Sequence, residues 1–165
     1  LALGCDSLPP CPALVKRSGA LPRGRAVPGM TEQQAIGPVL GKIARRSPDF
    51  ERLVASTDPD IVFKDEETTG ADRMMTPRLK KALERLSRRV RDEWPGLRLR
   101  VTEAWDENDE HGTQSAHYEG RAADLTTSDQ NGQRLGRLAW LAVESGFDWV
   151  YFEDETHVHV SVRAR

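Results

Sequence analysis

The chain has 165 residues, which is enough for one domain with its own hydrophobic core. Apolar residues make up 38% and charged residues 30%, and no stretch approaches the roughly 18 apolar residues of a membrane span. The formal net charge of −2 gives no general attraction for nucleic acid or anionic lipid. The composition therefore predicts a soluble, globular monomer that binds no nucleic acid.

The amino-terminal region is rich in proline and glycine and shows no sustained periodicity, so residues 1–37 are predicted to be a disordered tail and residues 38–165 the folded domain. Both cysteines, Cys5 and Cys11, lie in the tail, which excludes a disulfide within the domain. Residues 1–5 fit the end of a secretory leader with Cys5 as a lipid-bearing first residue of a bacterial-type lipoprotein. The alternative is a disordered chain end.

The predicted elements begin with a short helix over residues 49–54 and a buried strand over residues 61–63. A long helix follows, with Thr76 as its cap and Pro77 at its first position. Apolar residues recur through this helix at helical spacing, at Leu79, Leu83, Leu86, Val90 and Trp94.

The alternating pattern of residues 97–101 predicts a half-buried strand, and residues 120–126 predict another. A second amphipathic helix is predicted over residues 133–145, followed by a hairpin of residues 147–153 and 157–162. This mixed order predicts an α+β domain, with a mostly antiparallel sheet packed against two main helices.

Two short motifs contain three of the four histidines. One is the ten-residue stretch 115–124, which includes His117 and Asp124; the other is His157-Val158-His159. Alternation along a strand places both histidines of the second motif opposite its valines. Neutral imidazole and carboxylate are ligands that zinc prefers, and three protein ligands leave a fourth position for water. A His-x-His pair on a strand is nevertheless more often structural or solvated.

The Ser-x-His-x-x-Gly-x-Ala-x-Asp pattern of residues 115–124 is similar to a motif of zinc D-Ala-D-Ala peptidases and of hedgehog signalling domains. The sequences of residues 63–67, 69–73, 98–103 and 146–151 resemble the hedgehog amino-terminal domain, and the likeness runs from about residue 24 to the end. The resemblance implies one zinc ion in a cleft, with His117, Asp124 and His159 as its ligands. It also implies Glu153 as a carboxylate beside the zinc-bound water and His111 as a nearby histidine.

The predicted zinc set leads to two functional hypotheses. A carboxylate beside a zinc-bound water is the minimum for peptide hydrolysis, so Glu153 and His111 are predicted as catalytic residues of a metallopeptidase acting on small or cell-wall peptides. The alternative is a secreted signalling ligand with a structural zinc and no catalysis. Both hypotheses place the protein outside the cytoplasm, either extracellular or periplasmic, and the sequence analysis favours the peptidase.

Two acidic stretches, residues 65–72 and 103–110, read by themselves as ordinary solvated loops. The hedgehog resemblance implies instead that they bind one or two calcium ions, for which oxygen ligands are suited. The implied calcium residues are Glu66, Glu67, Asp72, Thr102, Glu103, Asp106 and Asn108. Asn108 stands where the family usually has Asp and Asp109 where it usually has Gly, which predicts a weaker second site. In animals this surface binds fibronectin-type receptor domains, so the resemblance implies such a partner.

Overall fold

The computed structural model describes residues 19–165. Three α-helices lie in this range: α1 (Glu32–Ile36), α2 (Pro77–Glu93) and α3 (Leu135–Glu144). The strands in this range are β1 (Ala26–Val27), β2 (Val54–Ala55), β3 (Ile61–Phe63), β4 (Met74–Met75), β5 (Leu99–Glu103), β6 (Ala122–Thr127), β7 (Trp149–Tyr151) and β8 (Val158–Ser161). No helix of the described range has both the length and the apolar character needed to cross a membrane.

The main sheet has six strands in the order β1-β7-β8-β6-β5-β3, and β2 pairs with β4 in a second, two-stranded sheet. Every pair in both sheets is antiparallel except β3 with β5. The predicted α+β class, the mostly antiparallel sheet and the two main helices are confirmed.

Helix α2 begins where the sequence predicts, because the Leu79 amide donates to the Thr76 hydroxyl at 3.3 Å and Pro77 occupies the first turn. Its apolar face is fully buried and joins α3 and one face of the sheet in a single core. Helix α3 starts at Leu135, two residues later than predicted, because residues 132–134 form a 3₁₀ turn. The opposite face of the sheet is left for the polar side chains described below.

Residues 19–37, here called the amino-terminal arm, are structured, so the prediction of a disordered tail is wrong for this part of the chain. Leu21 is only 7% exposed, β1 pairs with β7, and α1 packs Ala35 and Ile36 in a small apolar cluster on the sheet. Burial of these apolar side chains offsets the entropy of ordering the arm. Residues 1–18 lie outside the described range, and with them the predicted lipid anchor at Cys5.

One buried arginine fastens the arm to the domain. Arg121 is 3% exposed in its side chain and donates from its guanidinium to the carbonyls of Ile36 and Pro38, both at 2.9 Å. The same group donates to the Glu119 carboxylate at 2.6 Å. Because a guanidinium presents several donors in a fixed fork, one side chain joins two segments distant in sequence.

Candidate metal centre

His117 lies in a 3₁₀ turn, residues 116–119, directly before β6. The Ser115 hydroxyl accepts from the His117 amide at 3.2 Å, and Gly120 ends the turn at a φ of +67°. A Cβ on Gly120 would lie 2.6 Å from a methyl group of Leu53, so both the conformation and the space require glycine. This crowded turn explains why the ten-residue motif has a glycine at position 120.

The His117 ring is buried, with 1% of the side chain exposed, and its Nδ1 lies 2.7 Å from the Ala104 carbonyl oxygen. A carbonyl can only accept, so Nδ1 carries the hydrogen and Nε2 has a free lone pair. Nε2 makes no hydrogen bond with any residue of the described range. The nearest carboxylate oxygen, Asp124 Oδ1, lies 3.3 Å from this nitrogen without making a hydrogen bond, and a buried nitrogen in this position is costly unless a ligand occupies it.

Asp124 and His159 face each other across β6 and β8, where the strand register pairs them directly. Asp124 Oδ1 lies 3.1 Å from His159 Nδ1 and 3.3 Å from His117 Nε2. A tetrahedral zinc with bonds of about 2.0–2.1 Å separates its ligand atoms by about 3.3 Å. The two separations measured from Asp124 are of this size, so its carboxylate could share an ion with either histidine. Among the described residues, the groups whose ligand atoms all lie within 4.8 Å of one another join His117 and Asp124 with His111 and do not include His159, so the predicted three-ligand set stays a prediction.

The charges of this cluster are strongly coupled. Burial alone would raise the pKa of Asp124, but the neighbouring His117 and His159 hold it well below its ordinary value. Burial alone would lower the pKa of His159, but hydrogen bonds to Asp124 and Glu32 raise it to about 10. Without metal, a proton on the His159 imidazole balances part of the buried negative charge.

The two predicted catalytic residues contact different neighbours of Asp124. The His111 ring stacks on His117 with centroids 4.2 Å apart, and its Nδ1 is 2.7 Å from Asp106. Glu153 is 2.8 Å from Nε2 of His157, and that nitrogen is 3.8 Å from Asp124 Oδ1. His157 therefore neighbours the predicted zinc set, as expected from its place on the strand.

Side-chain atoms that are able to bind a metal gather in this part of the molecule. Three groups of side chains each bring their ligand atoms within 4.8 Å of one another: His111, His117 and Asp124; Glu103, Asp106 and His111; and Asp124, Glu153 and His157. His111 belongs to two of these groups and thus links the histidine cluster to the acidic loops.

The seven predicted calcium residues converge in one place. They all line a single cavity of about 180 Å³, together with Glu107 and Glu110, which the sequence analysis did not select. Burial, aided by the nearby charges of Glu67 and Glu103, raises the pKa of Asp72 to about 6 from its ordinary 3.8. The carboxylates that line this cavity repel one another, and a divalent cation bound among them would relieve that repulsion.

Asp109 does not line this cavity. It adopts a φ of +60°, a conformation that favours glycine, and its carboxylate contacts the Lys42 ammonium at 2.6 Å. Substitution of Asp109 for the missing carboxylate at Asn108 is therefore not the arrangement that the structure shows.

Glu32 is the residue of this centre that sequence reasoning missed. Its carboxylate accepts a hydrogen bond from Nε2 of His159, on the ring edge away from Asp124. The signal was present, because Thr31 and Gln34 form a capping box that marks the start of a helix before Ala35 and Ile36. The surrounding prolines and glycines concealed it.

Comparisons with known proteins relate this chain to one family. A model of the hedgehog amino-terminal signalling domain matches residues 14–161. The Indian hedgehog protein of Gallus gallus is 55% identical over 130 residues, which are 79% of this chain and 32% of that protein. The Sonic hedgehog protein of Danio rerio is 52% identical over 140 residues, 84% of this chain and 34% of that protein. Protein hedgehog of Drosophila persimilis is 51% identical over 142 residues, 85% of this chain and 30% of that protein.

The fold and the clustered polar side chains define a small α+β domain with buried His117 and Asp124 next to His159, beside an acidic cavity. The chain belongs to the hedgehog amino-terminal signalling domain family. It spans about a third of the length of these curated relatives.

The preferred prediction of a zinc metallopeptidase is wrong, because the family and the matched relatives are those of a signalling domain. The physical reason is that the histidine motif identifies ligand types and their spacing. A His-Asp-His set suits a structural metal as well as a catalytic one, so it does not specify a reaction. The predicted catalytic roles of Glu153 and His111 depended on the peptidase activity and lose their basis with it.

Proposed function

We propose that this domain acts as a secreted signalling ligand, in which a structural zinc stabilises the fold and calcium organises a receptor-binding surface. The observation that carries the proposal is the convergence of all seven predicted calcium residues on one cavity of a hedgehog signalling domain. The partner we propose is a fibronectin-type domain of a receptor.

Zinc would be held by Nε2 of His117, a carboxylate oxygen of Asp124 and Nδ1 of His159. When bound, it would supply a positive charge to the buried carboxylate and tie the turn before β6 to β8. The hydrogen bond from His117 to the Ala104 carbonyl keeps the ring in the required tautomer whether or not metal is present.

Calcium would neutralise the acidic cavity. Glu66, Glu67, Asp72, Glu103 and Asp106 carry five formal negative charges, which two calcium ions reduce to −1, so the two loops can approach a partner without self-repulsion. Asn108 contributes a neutral oxygen where a further carboxylate would bind more strongly, so the second ion is expected to bind more weakly than the first.

In the presence of a chelator, the domain should lose stability as the pH rises from about 4 to about 6.5. The pKa of Asp72 is raised on folding, so its favourable contribution is present at low pH and disappears as the pH passes its folded value near 6. The shift corresponds to a loss of up to about 3 kcal/mol. Denaturant melts of wild type and Asp72→Asn at several pH values measure the difference between them.

About 1 mM calcium should remove this loss in wild type and leave Asp72→Asn little changed. Glu67→Gln should blunt the response to calcium and Asn108→Asp should strengthen it, whereas the exposed Glu51→Gln serves as a charge-matched control. A stability profile of wild type that is identical in calcium and in chelator would contradict a calcium site in this cavity.

Binding to an immobilised fibronectin-type receptor domain tests the function itself. We expect binding in about 1 mM calcium and at least a tenfold loss of affinity in chelator. When the calcium ions leave, the carboxylates of the acidic cavity again carry an unbalanced negative charge, which opposes binding. Glu67→Gln should weaken binding while Glu51→Gln should not. Calcium-independent binding, or binding unaffected by Glu67→Gln, would place the receptor surface elsewhere.

A further inference from the structure

The contact between Glu32 and His159 joins residues far apart in the chain. Glu32 is the first residue of α1 in the amino-terminal arm, and its side chain is 20% exposed, while that of His159 is 11% exposed. The two ring nitrogens of His159 face different carboxylates, with Glu32 at Nε2 and Asp124 at Nδ1. The arm therefore supplies one side of the pocket around this histidine.

A second contact of the arm lies beside the first. The indole Nε1 of Trp149 donates to the Met30 carbonyl at 3.0 Å, and the Trp149 ring meets the His159 ring edge-on with centroids 5.7 Å apart. His159 is thus enclosed by Glu32, Trp149 and Asp124. A ring fixed on three sides has little freedom to rotate.

The geometry assigns a role that rests on the zinc site proposed above. A carboxylate at Nε2 accepts a hydrogen bond and therefore keeps the hydrogen on that nitrogen, which leaves the lone pair of Nδ1 for a metal beside Asp124. We infer that Glu32 is a positioning residue for zinc, which holds His159 in the tautomer and orientation that bind the metal. Zinc in return fastens the amino-terminal arm to the sheet.

The reciprocal effect follows from linkage. If docking of the arm through Glu32 strengthens zinc binding by some factor, zinc strengthens docking of the arm by the same factor. The apolar packing of Ala35 and Ile36 is separate from this contact and persists without metal. Zinc therefore controls how often the arm opens, and it does not create the docked position.

Competition with a coloured chelator tests the inference, with zinc affinity of the folded protein as the readout. Glu32→Gln should weaken zinc binding about 10- to 100-fold, the range typical for loss of a carboxylate behind a histidine ligand. Thr31→Ala is the control, because it breaks the capping box of α1 and leaves the carboxylate in place. Its zinc affinity should stay within about threefold of wild type.

Trypsin gives the reciprocal readout, since Arg23 and Arg25 are exposed in the arm. Removal of zinc should speed cleavage at these residues in wild type, and Glu32→Gln should be cleaved fast with or without zinc.

The inference is overturned if Glu32→Gln binds zinc within about threefold of wild type, or if Thr31→Ala loses as much affinity as Glu32→Gln. It is also overturned if zinc leaves cleavage of the wild-type arm unchanged. Failure of the wild type to bind zinc at all would refute the zinc site itself. Normal binding by both proteins would refute only the role of Glu32.

Discussion

Asp124→Ala should yield protein that no longer retains zinc. Its free energy of unfolding should be about 3–5 kcal/mol lower than that of wild type. Asp124 is the shared neighbour of both histidines, at 3.3 Å from His117 Nε2 and 3.1 Å from His159 Nδ1. Its removal takes away the negative charge that balances the imidazoles or the metal. Zinc content by atomic emission and chemical denaturation together measure the effect.

His159→Ala should have a similar effect, and His157→Ala is the matched control. His157 lies 3.8 Å from Asp124 and engages Glu153, so its loss should leave zinc bound and cost much less stability. A full equivalent of zinc in Asp124→Ala would remove Asp124 from the site. Equal loss of zinc in His157→Ala would show that the two histidines of β8 have been assigned in the wrong order.

Arg121→Met should destabilise the domain by about 3–5 kcal/mol, because it removes a buried charge that several groups share. The carbonyls of Ile36 and Pro38 and the carboxylate of Glu119 would all lose the guanidinium at once, and Glu119 would keep only the Leu40 amide as a donor among the described contacts. Methionine fills much of the same volume as arginine. The loss of stability therefore comes mainly from the missing polar contacts, and only a small part comes from a cavity.

The arm should also become more sensitive to trypsin in Arg121→Met, which separates this effect from damage to the main core. Arg88→Met, at an exposed position of α2, is the control and should stay within about 0.5 kcal/mol of wild type. Stability of Arg121→Met close to that of the control would mean that the arm contributes little to the domain.

Much of the fold could be predicted because its elements carry strong local signals. Thr76 and Pro77 mark the start of α2, and the strict alternation of valines in residues 158–162 marks β8. The same alternation places His159 on the polar face, where it meets Asp124. These predictions depend only on periods and caps that lie within one element.

The arm could not be predicted in the same way, because its elements are too short to show a period. β1 has two residues and α1 has five, and both are stabilised by contacts with β7, Arg121 and His159 from the far end of the chain. Glu32 therefore joined the metal centre only when the structure placed it there. Burial of Leu21 has the same origin, since a lone apolar residue among glycines and prolines gives no sequence signal.

Function was the least predictable level. His117, Asp124 and His159 indicated a metal by their types, and the structure brings them together, but ligand types do not state whether a metal acts on a substrate. The family match over residues 14–161 overturned the peptidase hypothesis, which the residues alone could not do.

The metal content of the purified wild-type protein tests the account most directly. Inductively coupled plasma mass spectrometry after dialysis against chelator-free buffer should find about one zinc per chain, and calcium should appear only when the buffer contains it. Loss of that zinc to a strong chelator should lower the melting temperature. A folded protein that contains no zinc, and whose melting temperature does not change when zinc is added, would contradict the account.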